Sequence, residues 1–211
     1  MAESLKLRIQ KTLKILYRTY PDVACALTHK DPLQLLVATI LSAQCTDARV
    51  NLVTPALFKK YPNAKAFAAA DLKELEQDIR YTGFYKNKAK AIRGCCQLLL
   101  TQHGGQMPRT LEELVRFPGI GRKTANVVLG VAFGIPGIVV DTHVRRLTYR
   151  MGFTKQTDPE KIEAEMMQVI PEKNWTDFGL LLIAHGRALC TARKPDCPQC
   201  TLRALCPKLG I

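Results

Sequence analysis

No stretch of this chain is apolar and long enough to cross a bilayer. The opening Met1-Ala2-Glu3-Ser4-Leu5-Lys6-Leu7-Arg8 lacks the unbroken apolar run and cleavage site of a signal peptide. No membrane association is expected, and the expected compartment is a reducing cytoplasm. There the even count of eight cysteines does not read as a disulfide framework. Strand patterns are scarce, and no internal repeat, low-complexity tract or long linker interrupts the chain. Acidic residues are few, 18 against 31 Lys+Arg, for a net charge of +13. Such an excess suits a polyanion, because each phosphate neutralised releases condensed counterions. Basic charge alone also suits a ribosomal or membrane-surface protein.

What the chain does have is helical periodicity and enough apolar residues, 47%, for a real core. Its 211 residues make one large or two small domains. Leu5, Ile9, Leu13, Leu16 and Tyr20 line one helix face. Asp31-Pro32 is an N-cap followed by proline at the first helical position, and Asp158-Pro159 repeats that signal. Val50, Val53, Leu57, Phe58 and Tyr61 line a helix that stops at Pro62. Asp71 opens a short helix. Residues 86–103 form a long one that Gly104-Gly105 ends. Thr110 and Glu113 form a capping box. Ile138-Val139-Val140 is extended but too short to build a sheet. Asp141 caps a helix starting near Val144, and residues 174–189 form another apolar helix. Cys25, Cys45, Cys95 and Cys96 are expected as buried thiols in helical surroundings.

Two features carry chemistry. The first is the tail pattern Cys-x6-Cys-x2-Cys-x5-Cys, at Cys190, Cys197, Cys200 and Cys206. Thiolates bind soft metals, and four complete either a tetrahedral zinc or an iron–sulfur cubane. The wide outer spacings favour [4Fe–4S] and leave zinc open. The tail's prolines leave little core, so a metal cross-link supplies the folding energy. Between the first two ligands, Arg193 and Lys194 sit on a segment clamped at both ends, where they can grip phosphates or simply stay solvated.

The second is Phe117-Pro118-Gly119-Ile120-Gly121-Arg122-Lys123-Thr124, a tight turn between two helices. Gly119 and Gly121 allow the turn and a close approach by a ligand. The amides opening the second helix then make an anion site. Lys123 falls in that helix's first turn. The dipole and Arg122 disfavour a cation there, and an uncharged amine is a nucleophile. A plain turn between packed helices with a phosphate-binding surface lysine is the simpler alternative. Asp141 is an N-cap that can also stabilise an oxocarbenium ion or relay a proton.

Together, Leu41-Ser42-Ala43-Gln44-Cys45-Thr46-Asp47, Gly83-Phe84-Tyr85-Lys86-Asn87-Lys88-Ala89, residues 117–128, Val140-Asp141-Thr142-His143-Val144-Arg145-Arg146 and the four-cysteine tail resemble the endonuclease III family, in order and over most of the chain. The resemblance implies an all-α, two-domain helix-hairpin-helix DNA glycosylase fold. Residues 25–135 would be a six-helix barrel domain, with the hairpin at about 110–133. Residues 1–24 plus 136–211 would be a [4Fe–4S] cluster domain held by the four cysteines. It implies a bifunctional DNA glycosylase and abasic-site lyase of base excision repair that removes oxidised pyrimidines and cuts by β-elimination, with Lys123 as nucleophile and Asp141 as its carboxylate partner. The expected partner is duplex DNA with damaged pyrimidines or abasic sites, bound by a monomer at the nucleoid of a prokaryotic cytoplasm. Expected DNA contacts are Gly119, Gly121, Arg122, Thr124, His143, Arg193 and Lys194. Gln44 matches the glutamine that fills the gap left by a flipped base. Phe84 stands where the family more often has leucine as its wedge, and the resemblance implies that Tyr85 borders the pocket. Lys123 distinguishes the chain from adenine glycosylases, which lack a lysine there. The non-enzymatic alternative is a hairpin protein that binds damage or junctions without cutting.

Overall fold

A computed structural model describes residues 4–211. Residues 1–3, on which part of the signal-peptide reading rests, lie outside the described residues. The described residues are all-helical, without a strand. The helices are α1 (Leu5–Thr19), α2 (Pro32–Leu41), α3 (Asp47–Lys60), α4 (Ala64–Ala69), α5 (Leu72–Asp78), α6 (Tyr85–His103), α7 (Leu111–Leu114), α8 (Arg122–Phe133), α9 (Thr142–Arg150), α10 (Pro159–Val169) and α11 (Trp175–Ala188). Single 3-10 turns at Arg80–Thr82 and Glu172–Asn174 precede α6 and α11.

Local chemistry sets most helix starts. Asp31 Oδ1 accepts from the Gln34 amide at 2.8 Å, Asp71 Oδ1 from Glu74 at 2.9 Å and Asp158 Oδ1 from Lys161 at 3.0 Å. Each satisfies an amide that the first helical turn leaves without an intrahelical partner. At Thr110 the hydroxyl accepts from the Glu113 amide at 3.3 Å and donates to Glu113 Oε2 at 2.7 Å. The capping-box glutamate therefore bonds the cap side chain. Gly104 ends α6 in the left-handed region at φ 58°.

The chain divides into two compact units. One is Cys25–Ile135; the other joins the stretch up to Ala24 with Pro136–Ile211. The first is built on a large apolar core that includes Leu35, Leu41, Phe67, Leu75, Ile92 and Phe117. Within it Lys60 of α3 salt-bridges Glu74 at 2.9 Å and Asp78 at 2.7 Å on α5. The second packs Ile9, Leu13 and Leu16 of α1 with Leu147, Met166, Phe178 and Leu181. Ile138 and Val140 join that core as extended backbone.

Two expectations change. α4 was not predicted: six residues, four of them alanine, carry too little periodicity to announce a helix, though Asn63 caps it. Cys95 and Cys96 are buried, and burial pushes both thiols up to about 12. Cys25 and Cys45 are only half-buried and lie in loops, because the helices on either side end before reaching them.

Candidate nucleic-acid site

The hairpin in the first unit runs from α7 to α8. Gly119 has φ +74°, and a Cβ there would lie 3.0 Å from Ala91 Cβ. Backbone strain and crowding both demand glycine at this turn. Gly121 differs: its φ is −92°, which any residue adopts, and a Cβ would meet nothing within 4 Å. The absent side chain leaves open space in front of α8. No side chain caps that helix, unlike α2, α5 and α10. Its first-turn amides and positive dipole end are thus available to an anion. Arg122 and Lys123 are exposed and Thr124 half-buried on this first turn. Lys123 stays out because the inward face of α8 is Ala125, Val128 and Leu129.

The same unit carries Gln44 and Phe84. Both adopt left-handed backbone, at φ 51° and 48°, with Lys208 the remaining non-glycine of this kind among the described residues. Gln44 is exposed in the turn after α2. Phe84 is 63% exposed at the start of α6, where it serves as an N-cap without a side-chain bond. A large apolar ring held out by strained backbone suits insertion between bases. Lys88 lies beneath them, only 4% exposed. Its ammonium donates to the Leu41 carbonyl at 2.7 Å and to the Thr82 carbonyl at 2.8 Å. Burial lowers its pKa, with the charge of Cys45 opposing.

In the second unit Asp141 caps α9: its Oδ1 accepts from the Val144 amide at 2.8 Å. The carboxylate is half-buried, and the cap fixes its direction. Two residues on, His143 Nδ1 lies 3.1 Å from the Arg146 guanidinium. That nitrogen accepts from Arg146 if the imidazole is neutral. Burial holds the His143 pKa down; Arg146 and Arg187 act the same way, and Asp141 opposes them. α11 passes so close that a Cβ on Gly186 would fall 2.7 Å from His143 Nδ1. Glycine is required there by contact alone.

The four tail thiols line one small cavity, together with Arg150, His185 and Leu202. No group of three or more His, Cys, Asp or Glu among the described residues closes on a single metal ion. The four sulfurs face a common space, a donor set that suits a soft metal or a metal cluster. Burial first, and then the other sulfurs, push the Cys200 and Cys206 thiols up. A bound metal would offset that cost. His185 is fully buried, with Nδ1 3.0 Å from Tyr20 Oη and Nε2 3.4 Å from Cys200 Sγ. Were Cys200 a metal thiolate, Nε2 would carry the proton and donate to sulfur, with Tyr20 donating to Nδ1.

Two arginines of α9 hold the tail. Arg150 donates to the Thr191 and Ala192 carbonyls, each at 2.8 Å, and its Nη1 lies 3.4 Å from Cys190 Sγ. Arg146 donates to the Cys190 carbonyl at 2.9 Å and the Gly186 carbonyl at 3.1 Å. The loop so fixed carries Arg193 and Lys194, both exposed. Sequence reasoning missed Lys88, Arg146, Arg150 and His185. For the arginines a signal existed: positions 143, 146 and 150 share one face of α9.

A family profile of HhH-GPD superfamily base excision DNA repair proteins matches residues 37–172. Endonuclease III of Synechocystis sp. is 54% identical over 205 residues, covering 97% of this chain and 94% of that protein. Among solved structures, a non-covalent Endonuclease III–DNA complex superposes with a TM-score of 0.93 at 44% identity, covering 99% of this chain and 97% of that one. A trapped Endonuclease III–DNA covalent intermediate, an estranged-adenine complex, gives 0.93 at 45% identity with the same coverage.

Proposed function

The chain belongs to the HhH-GPD superfamily of base excision DNA repair proteins, and from that premise we propose that it removes oxidised pyrimidines from duplex DNA and then cuts the abasic site. The observation that carries this reading is an exposed lysine, Lys123, on the first turn of a helix whose amides no side chain caps, beside the open space at Gly121.

The α8 amides, Arg122 and Thr124 take a backbone phosphate, and Arg193, Lys194 and His143 add contacts from the other unit. Phe84 enters the stack as the damaged nucleotide rotates out, and Gln44 fills the gap. The uncharged amine of Lys123 attacks the sugar C1′. The bond from C1′ to the base breaks, and the base leaves with its electron pair and takes up a proton. Asp141 stabilises the positive charge that develops on the sugar. Loss of a proton from nitrogen and opening of the sugar ring give an imine. The imine acidifies the C2′ proton; its removal expels the 3′ phosphate, and water later frees the lysine.

The four tail cysteines would hold a [4Fe–4S] cluster, which supplies a structural cross-link when bound. Arg150 then keeps the Arg193-Lys194 loop in place through its backbone carbonyls.

Borohydride trapping on an abasic duplex tests the lysine. The wild-type protein should form a covalent adduct, and Lys123→Ala should form none while still binding DNA. Strand-specific binding without adduct or scission by the wild type would leave a non-catalytic damage-binding protein instead. Asp141→Asn should keep the α9 cap, since asparagine caps as well as aspartate, and should lower base release by roughly 10²-fold or more. Near-normal turnover would reduce Asp141 to a cap.

A further inference from the structure

Lys88 is a buried cation that the proposed chemistry does not use. Its two carbonyl partners end two separate segments: Leu41 is the last residue of α2, and Thr82 the last of the 3-10 turn. Carbonyls at helix ends lack intrahelical partners and carry the negative end of the dipole. One ammonium therefore satisfies two such ends at once. Gln44 follows three residues after the first, and Phe84 two residues after the second. The Lys88 main-chain amide also donates to the Phe84 carbonyl at 3.2 Å. Lys88 thus bonds the backbone at Thr82 and at Phe84, and the end of α2 that leads into the turn bearing Gln44.

The two side chains that emerge from these segments share unusual features. Both are exposed, both sit on left-handed backbone that costs energy for a residue with a Cβ, and neither packs into the core of its unit. Strain of that kind persists only when surrounding structure over-determines it. Lys88 is the contact common to both loops.

We propose that Lys88 is a positioning residue that locks the Gln44 and Phe84 loops in one register, so that both side chains enter the duplex together. This rests on the proposed glycosylase reading and assigns to it the part that prises the helix open. Lys88 touches neither substrate nor reacting atoms.

The test separates opening of the duplex from lysine chemistry. Lys88→Met keeps the length and removes the donor. Three readouts are compared with wild type: single-turnover base release from a thymine glycol duplex, fluorescence of 2-aminopurine placed opposite the lesion, and borohydride trapping on a single-stranded abasic oligonucleotide. Lys88→Met should slow duplex base release at least 30-fold and lose the 2-aminopurine rise. Single-strand trapping, which needs no helix opening, should stay within twofold. Equal losses on duplex and single strand would make Lys88 a general folding residue and overturn the proposal, as would unchanged duplex turnover. Absence of trapping by the wild type would instead sink the Lys123 chemistry, leaving the 2-aminopurine signal to decide on Lys88. If Lys88→Met does not fold, the ¹⁵N-lysine spectrum of the wild type decides. The Lys88 ammonium should remain protected from exchange when the protein binds a duplex with a tetrahydrofuran abasic analogue; loss of protection would overturn the strut.

Discussion

The two units hold their exposed working loops by the same device and hold themselves together by different ones. In Cys25–Ile135, Lys88 bonds the carbonyls of Leu41 and Thr82. In the other unit, Arg150 bonds those of Thr191 and Ala192. Each is a buried cation on a helix turning main-chain oxygens inward while the loop side chains face out. The surroundings differ. Lys88 lies in a broad apolar core. After Leu189, by contrast, Leu202 is the one buried hydrophobic side chain among the described residues. A buried leucine contributes about 1.5–3 kcal/mol, roughly the cost of ordering one or two residues of backbone. The tail therefore needs a cross-link from its thiols, and the other unit does not.

Stripping the proposed cluster should have the largest effect and should be lopsided. Chelation, or Cys200→Ser, removes a contribution on the order of 10 kcal/mol in comparable thiolate sites. Hydrogen exchange should show residues 190–206 losing protection while α6 keeps its own; equal loss in both units would erase the contrast. Next comes a pair of alanines in the core-built unit. Gly119→Ala should cost about 1–2 kcal/mol from the left-handed backbone alone, with the Ala91 contact adding to it. Gly121→Ala should leave stability within about 0.5 kcal/mol yet weaken DNA binding, because its Cβ enters the space left for phosphate. Denaturant melts and binding isotherms check both, and matching stability losses would show that Gly121 is there for the fold.

The smallest effect is a pH dependence confined to the tail-bearing unit. The folded pKa of His143 lies below its ordinary value of 6.5. The unfolded chain therefore binds the proton more readily. Its contribution to stability is complete above about pH 6.5 and falls as pH drops from there toward the lowered value. His143→Gln should flatten that slope in melts followed by probes in α9, and an unchanged slope would assign it elsewhere.

Local chemistry made much of this legible. Asp31, Asp71, Asp141 and Asp158 announced their helices because a cap needs only neighbours three residues away. The hairpin and the thiol set were legible because glycine, lysine and cysteine each do something few other residues do. Lys88 was not. A lysine near the start of a helix reads as a solvated side chain, and its burial depends on Leu41, 47 positions away. Arg150 was hidden in the same way, its partners lying more than 40 positions along the chain. Lys123 was legible as a first-turn residue, and it stands exposed because Ala125 and Val128 take the inward face of α8.

The discontinuity of the tail-bearing unit has a consequence for how the chain is made. α1 offers Ile9, Leu13 and Leu16 to partners on α10 and α11, which leave the ribosome only after residues 25–135 have passed. At roughly 5–20 residues per second, that first helix waits on the order of 10–30 s with its greasy face uncovered. The inserted unit, complete in itself, has time to fold before then. A nascent chain halted once residues 25–135 have cleared the ribosome should already protect α6 from protease and leave α1 open to it.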